Sequence, residues 1–401
     1  MSRISRFLLY FPFLFFSLLG TEFLRVDFGV LKIPMFNFFI ALFLAINLMR
    51  FGCRVDCSIT KLERNFILMF FLYTFVCICS VFLSVNINSG FSYISKLLFV
   101  FVFWAYLKSF NGLDARIIEG VVKVVSVTSS CLMCVILYKY IFVFNVFYIS
   151  PVLTEASEVG KNQLSLYLIV TTSMVFWLWV GQDKVVSIYL IAFLIHVISL
   201  LLVFSKASML IFSVSSILMF VLAWSKAGRL RNKRHLLNVG FFVVLMFVIG
   251  LLVLLSQEGF RENMLENINW FLEGGDQSYS TNLRKYYLSR SLDYFMENPL
   301  FGIGINNFPH YVGGATHNSY MQVLAEVGLV GFIPFVSYIL IMFRQSLMYK
   351  PQCTFEIGIQ QALIASLLYL LFINASNTLI IYVPFLLLVC INRKSEGNYA
   401  G

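Results

Sequence analysis

The chain has 401 residues, of which 60% are hydrophobic and 12% carry a charge, and its formal net charge is +10. Soluble domains contain about 25% charged residues, so this composition excludes an ordinary soluble protein. The apolar residues also occur in long runs, which indicates an all-α polytopic membrane protein. In such a protein a basic excess reports the topology of the loops and gives no reason to expect a nucleic-acid partner.

The hydrophobic runs predict about twelve transmembrane helices. The first run follows a basic segment and lacks a clean small-x-small cleavage site, so we interpret it as an uncleaved span. The predicted spans are residues 7–20, 33–49, 66–85, 92–107, 121–143, 163–180, 185–204, 208–225, 236–256, 327–343, 357–375 and 377–391.

The basic residues indicate an orientation for these spans. With both termini in the cytoplasm, every strongly basic loop falls on the cytoplasmic side, as the positive-inside rule requires. The two most basic loops hold Arg50, Arg54, Lys61 and Arg64, and Lys226, Arg229, Arg231, Lys233 and Arg234. The chain then divides into spans one to nine over residues 1–256, a large outer loop over 257–326, and spans ten to twelve with a tail over 327–401.

The cysteines give no sign of a disulfide framework, because none of the eight falls in an outer loop of this topology. Cys131 and Cys134 have the spacing of a redox or metal pair, but they lie in an apolar run without a nearby histidine. We interpret them as small buried side chains. His196, inside span seven, is interpreted as a hydrogen-bonded residue of the bundle.

The large outer loop ends in a polar, glycine-rich island over residues 298–331. A helix is predicted before it, over 282–297. Arg284 and Lys285 fall in the first turn of that helix, where the helix dipole disfavours cations. An anion bound at this end of the helix would make the two cations favourable. The alternative, a solvated basic patch on a surface helix, explains the two residues equally well.

Three further basic residues are candidates for the same anion. Arg290 follows Arg284 by about two turns, Lys206 falls in a tight outer turn, and Lys161 opens span six. Cations from distant parts of the chain on one face are suited to a phosphate or pyrophosphate group. The alternative for Lys206 is that it extends to the membrane interface without a function.

His317 is the candidate general base, since a histidine in a polar loop titrates near neutral pH. It lies just before a helix predicted to start near Asn318, and a hydrogen-bonded or capping histidine is the alternative. Glu326 either orients His317 or caps span ten. The sequence has no Asp-x-Asp pair, no nucleotide-binding loop and no His/Cys cluster with metal spacing, so we predict neither a metal nor a cofactor.

These motifs resemble the signature of the O-antigen ligase and O-antigen polymerase superfamily, which are bacterial inner-membrane enzymes. The similar elements are NPLFGIG at residues 298–304, NF at 307–308, HNSY at 317–320 and EVGLVG at 326–331. Arg284 stands about eighteen residues before Gly302, as in the family pattern. Ser205-Lys206-Ala207 is similar to a family element with arginine at its centre, so Lys206 is a departure.

The resemblance implies a fold similar to the C-type membrane glycosyltransferases (GT-C) and an active site facing the periplasm. It implies an undecaprenyl-diphosphate-linked glycan as donor, membrane lipid as surroundings, and no need for a metal or nucleotide sugar. His317 and Arg284 would be catalytic. The substrate-binding residues would be Lys206, Arg290, Lys161, Asn318 and Glu326.

The acceptor separates the functions that the resemblance allows. A ligase transfers the glycan to a sugar of the lipid A core, and a polymerase transfers it to another lipid-linked repeat. We predict a ligase. The polymerase remains the alternative, because the two types of enzyme share the signature. A polytopic flippase for the same lipid-linked glycan is the non-enzyme alternative, but it would place charges along a central path, and the predicted spans contain few.

Overall fold

The structure, a computed structural model, describes residues 3–20, 25–27, 32–51, 59–110, 113–138, 161–182, 187–203, 206–225 and 279–391. A 3₁₀ helix (Phe11–Gly20) follows α1, and two short antiparallel strands, β1 (Arg25–Asp27) and β2 (Lys32–Pro34), precede α2. Apart from this hairpin, the described elements are helical, as predicted. The α-helices of these ranges are α1 (Arg3–Tyr10), α2 (Met35–Phe51), α3 (Lys61–Val81), α4 (Ile87–Lys108), α5 (Ala115–Tyr138), α6 (Lys161–Val180), α7 (Ile188–Val203), α8 (Lys206–Ser225), α9 (Tyr279–Glu297), α10 (Phe308–Val312), α11 (Ser319–Met348), α12 (Thr354–Tyr369) and α13 (Leu379–Cys390).

Five helices in the described ranges are long and apolar enough to cross a membrane. They are Lys61–Val81, Ile87–Lys108, Ala115–Tyr138, Gln163–Val180 and Ser319–Met348. These helices support a polytopic membrane protein. The count of about twelve spans, the cytoplasmic termini and the three-part division of the chain remain predictions, and the predicted span at 236–256 lies outside the described residues.

The first predicted span differs from a regular α-helix. The chain changes from α to 3₁₀ geometry at Phe11, next to Pro12, which has no N–H to donate. A 3₁₀ helix rises about 2.0 Å per residue against about 1.5 Å for an α-helix. The two segments together therefore reach about 32 Å, which is close to the thickness of the hydrocarbon core of a bilayer.

Helix α6 lies at the centre of the bundle. All its side chains from Leu164 to Val180 are buried, which is typical of a helix enclosed by neighbours on every side. It packs against α7 and α12, where Trp177 Nε1 donates a 2.6 Å hydrogen bond to Gln361 Oε1. This enclosed pair of helices gives the bundle its core.

Helix α5 corrects one expectation and fits another. Cys131 and Cys134 are exposed, because a spacing of three puts both on one face of the helix, and the packed face carries Ser129 and Met133 instead. His196 is buried, and its ring nitrogens lie 2.8 Å from the carbonyl oxygen of Ala192 and 3.0 Å from Ser129 Oγ. It is a hydrogen-bonded residue of the bundle, as predicted.

Helix α11 is broken at Gly328, whose φ of 58° and ψ of −165° are not helical. A break removes helical hydrogen bonds, and unsatisfied backbone groups are costly near a bilayer. The loop over residues 298–304 satisfies groups on both sides of the break. The N–H groups of Ile303 and Gly304 donate to the carbonyls of Ala325 and Glu326 at 3.0 and 2.9 Å, and those of Leu329 and Val330 donate to Pro299 and Leu300 at 2.9 and 3.1 Å.

Two glycines permit this contact between the loop and the helix. A Cβ on Gly302, whose φ is 67°, would lie 2.4 Å from the carbonyl carbon of Glu326. A Cβ on Gly328 would lie 2.4 Å from the carbonyl carbon of Leu300. Backbone atoms cannot move aside as a flexible side chain can, so both positions require glycine.

The residues directly after this loop anchor it to the turn between α3 and α4. Asn307 accepts a hydrogen bond from the N–H of Val85 at 2.8 Å and donates one to the carbonyl of Leu83 at 3.0 Å. Ser84 Oγ donates to the carbonyl of Ile305 at 2.7 Å. The loop is thereby fixed to two of the helices that can cross the membrane.

We predict that Gly302→Ala destabilises the protein more than Gly313→Ala. Both glycines have positive φ, so an alanine at either costs about 1–2 kcal/mol. A Cβ on Gly313 meets nothing within 4 Å, whereas one on Gly302 collides with Glu326, which adds about 1–3 kcal/mol. Thermal unfolding of the detergent-solubilised variants measures the difference. Equal unfolding temperatures would show that the close approach does not matter.

Candidate functional site

Helix α9 begins at Tyr279, three residues earlier than predicted over 282–297. Arg284 and Lys285 therefore lie in its second turn. The effect of the helix dipole falls off within the first turn, so the dipole argument for an anion at these two residues does not hold. Their relevance to a site depends on what lies near them.

One face of α9 packs against the glycine-rich loop and the other carries the cations. The ring of Phe308 lies 6.4 Å from that of Tyr287 and 6.0 Å from that of Tyr294, both in edge-on geometry. Arg284 and Lys285 are exposed. The aromatic contacts therefore fix the helix with its basic residues on the accessible side.

Arg290 does not share the direction of Arg284. Six residues along an α-helix correspond to about 120° of rotation and about 9 Å of rise. Arg290 is exposed, its Nη1 lies 3.5 Å from Asp293 Oδ2, and its guanidinium carbon lies 5.7 Å from the centre of the Tyr286 ring. These contacts hold Arg290 along the surface of α9, away from the position of Arg284.

His317 is held in a left-handed backbone conformation, with a φ of 54°. Thr316 Oγ1 donates to the carbonyl of Asn318 at 2.7 Å and accepts from its N–H at 3.1 Å. Asn318 also caps α11, because its Oδ1 accepts from the N–H groups of Tyr320 and Met321 at 3.0 and 3.1 Å. The residues on both sides of His317 are thus fixed.

The start of α11 is joined to the segment that connects α12 and α13. The N–H of Ser319 donates to the carbonyl of Leu370 at 2.9 Å, and its Oγ donates to the carbonyl of Ile373 at 2.5 Å. The N–H of Ala375 donates back to Ser319 Oγ at 3.0 Å. Within the HNSY motif, Asn318 and Ser319 therefore fix the backbone through hydrogen bonds. His317 is half-buried and ionisable.

The charge of Arg284 acts on His317. Burial lowers the pKa of His317, and the positive charge of Arg284 lowers it further. A lowered pKa favours the neutral imidazole, which is the form that accepts a proton. The catalytic roles of His317 and Arg284 stay predictions.

Lys206 and Lys161 are the first residues of α8 and α6. A cation at a helix N-terminus is unfavourable unless an anion lies nearby. Their side chains lie outside the described part of the structure. Their convergence with Arg284 therefore stays a prediction.

Glu326 lies behind the loop, where it is 1% exposed. Its Oε1 accepts from Gln322 Nε2 at 2.9 Å and from the N–H of Phe308 at 3.3 Å. Sequence reasoning missed Gln322, although its spacing of four from Glu326 puts both on one face of α11. These contacts give Glu326 a place in the support of the site instead of on a surface that a substrate reaches.

A groove of about 610 Å³ lies beside the loop. It is mainly apolar, and its lining residues include Leu83, Pro299, Leu300, Phe301, Ile303 and Tyr311, with Glu297 at the side. Glu297 lies thirteen residues beyond Arg284 on α9, which corresponds to about 20 Å. The groove is therefore separate from the charged part of the site and suits an apolar group.

The described helices are those of a multi-pass membrane protein, and the candidate site lies on α9 and at the start of α11. A family model described as "O-Antigen ligase" matches residues 190–336. The match confirms the resemblance that the motifs indicated, and it covers Lys206, Arg284, His317 and Glu326. No curated protein matches the chain. Residues 190–336 are thus similar to the O-antigen ligase family, and this similarity supports a function of the ligase or polymerase type.

We predict that Arg284→Gln raises the pKa of His317, because it removes one of the two causes that lower it. Diethyl pyrocarbonate modifies only the neutral imidazole, so the midpoint of the pH dependence of His317 modification moves to higher pH. Mass spectrometry of the labelled peptide measures it. Arg290→Gln is the matched control and leaves the midpoint unchanged. Identical midpoints in the wild type and both variants would show that the charge of Arg284 does not affect the pKa of His317.

Proposed function

We propose that the protein is an O-antigen ligase of the bacterial inner membrane. It transfers a glycan from undecaprenyl diphosphate to a sugar of the lipid A core at the periplasmic face, in a fold of the GT-C type. The observation that carries the proposal is the match of residues 190–336, which include Arg284 and the half-buried His317, to the O-antigen ligase family.

The reaction assigns one role to each of these two residues. A hydroxyl oxygen of the acceptor sugar attacks the anomeric carbon, and His317 takes the hydroxyl proton. The bond between the anomeric carbon and the diphosphate oxygen breaks, and the lipid diphosphate leaves with its electron pair. Arg284 stabilises the negative charge that develops on that oxygen. An in-line displacement of this kind inverts the anomeric centre.

The position of Arg284 on an exposed face supports access by a large lipid-linked donor. Lys206 and Lys161 are proposed to bind the same diphosphate from the starts of α8 and α6. Lysine is a point charge and cannot form the two parallel hydrogen bonds of arginine, so Arg284 would carry more of the specificity. The apolar groove beside Phe301 offers a place for a hydrocarbon part of a substrate.

A polymerase is the alternative, because the same two residues would perform the same displacement with a different acceptor. The acceptor identity therefore decides between them. A flippase needs no base, so the pairing of a neutral histidine with an arginine favours transfer chemistry over transport.

A lipopolysaccharide gel of a deletion strain tests the proposal. A ligase defect leaves the lipid A core without O-antigen while lipid-linked polymer accumulates. Core carrying a single repeat would identify a polymerase, and lipid-linked glycan held on the cytoplasmic side would identify a flippase. A normal ladder would overturn all three.

We predict that His317→Ala and Arg284→Ala each lower the transfer rate by about 100-fold or more, because one removes the base and the other the stabilising charge. Arg290→Ala is the control, since Arg290 is exposed and engaged by Asp293, and it lowers the rate much less. Transfer is measured with purified protein and lipid-linked donor at equal amounts of inserted protein. Full activity of His317→Ala or Arg284→Ala would remove that residue from the mechanism.

We predict that a chelator leaves transfer unchanged, because Arg284 and the lysines supply the positive charge that a divalent cation would otherwise provide. The comparison uses the same assay with an excess of chelator and with added Mg²⁺. Loss of transfer with the chelator and its return with Mg²⁺ would contradict a metal-independent mechanism.

A further inference from the structure

Three buried polar side chains form a continuous path from the glycine-rich loop to His317. Thr316, Gln322 and Glu326 are 3%, 1% and 1% exposed. Gln322 uses both ends of its amide, since its Nε2 donates to Glu326 Oε1 at 2.9 Å and its Oε1 accepts from the N–H of Thr316 at 3.4 Å. Buried polar groups in such a path hold one another in a single geometry when all are satisfied.

The path begins where the loop meets the broken helix. The carboxylate of Glu326 accepts from the backbone N–H groups of Asn306 and Phe308, and the carbonyl of Glu326 accepts from Gly304 at 2.9 Å. Through these hydrogen bonds, Glu326 of α11 contacts both the loop and the start of α10. A movement of the loop would therefore displace Glu326 and, through its hydrogen bond, Gln322.

The path ends at the backbone of His317. A non-glycine residue with a φ of 54° is strained and persists only where its neighbours hold it. Thr316 is the neighbour that is hydrogen-bonded to Gln322. Its Oγ1 also bonds to the carbonyl and the N–H of Asn318. The backbone that carries His317 is thus held from the side of Glu326.

We propose that Glu326, Gln322 and Thr316 are positioning residues that fix the imidazole of His317 for proton transfer. The proposal rests on the proposed function, because it assumes that His317 is the base. In this proposal Glu326 acts on His317 through Gln322 and Thr316 and does not contact the substrate.

Variants of Thr316 and Gln322 test the proposal in a kinetic assay of purified protein. Thr316→Val keeps the shape and removes the hydroxyl, and Thr316→Ser keeps the hydroxyl. We expect Thr316→Val and Gln322→Ala to lower kcat about 10- to 100-fold with an unchanged KM for the lipid-linked donor, since a small misplacement of a catalytic group costs this much. Thr316→Ser is expected to retain most of the activity.

Gln361→Ala is the matched control. Gln361 is also a buried helical glutamine with hydrogen bonds at both ends of its amide, to Trp177 and Ser216, and it lies in the core of the bundle. It should lower thermal stability without changing kcat per folded molecule. A similar loss of kcat in Gln361→Ala, a raised KM in Gln322→Ala, or equal activity of Thr316→Val and Thr316→Ser would overturn the positioning role.

A second measurement does not depend on transfer. The rate at which diethyl pyrocarbonate modifies His317 is compared with that of the exposed His310 in the same molecule. Thr316→Val and Gln322→Ala should shift the His317 rate, and Thr316→Ser should not. If the wild-type protein transfers no glycan, the proposed function fails and this labelling still decides the positioning role. Unchanged labelling in all variants would overturn it.

Discussion

The break in helix α11 is the constraint on which the rest of the site depends. A backbone that loses its helical hydrogen bonds beside a bilayer has little water to replace them. The loop over residues 298–304 supplies the partners, and it approaches closely enough because Gly302 and Gly328 have no side chains. Through Asn307 the loop then reaches the α3–α4 turn, so the site is fixed to the membrane bundle.

This constraint divides the residues of the signature into two groups. The glycines, Asn307, Asn318 and Ser319 satisfy backbone groups and set the path of the chain. His317 lies next to this support, and Arg284 is exposed on α9. A site that needs a base and a cation in a fixed relation is best carried by a rigid second layer of contacts, and the buried Glu326–Gln322–Thr316 path is such a layer.

Much of the fold followed from patterns that act over short distances. Hydrophobic runs located the long helices, and the helix before the polar island was predicted over 282–297 and is found at Tyr279–Glu297. The three-residue error matters, since three residues are almost one helical turn, or about 4.5 Å. It removed the dipole argument for Arg284. The exposure of Cys131 and Cys134 was missed because spacing fixes a shared face without saying which face packs.

The sequence by itself determined the class of protein and the segment that resembles the ligase and polymerase superfamily, because composition, run length and motif spacing are local properties. Only the tertiary structure decided that Glu326 is buried, that the loop over residues 298–304 pairs with α11 on both sides of Gly328, and that Asn307 joins the chain to the α3–α4 turn. These facts depend on hydrogen bonds between segments distant in the chain and on positive-φ backbone turns. Such contacts form only when the loop meets the broken helix, so no local pattern records them.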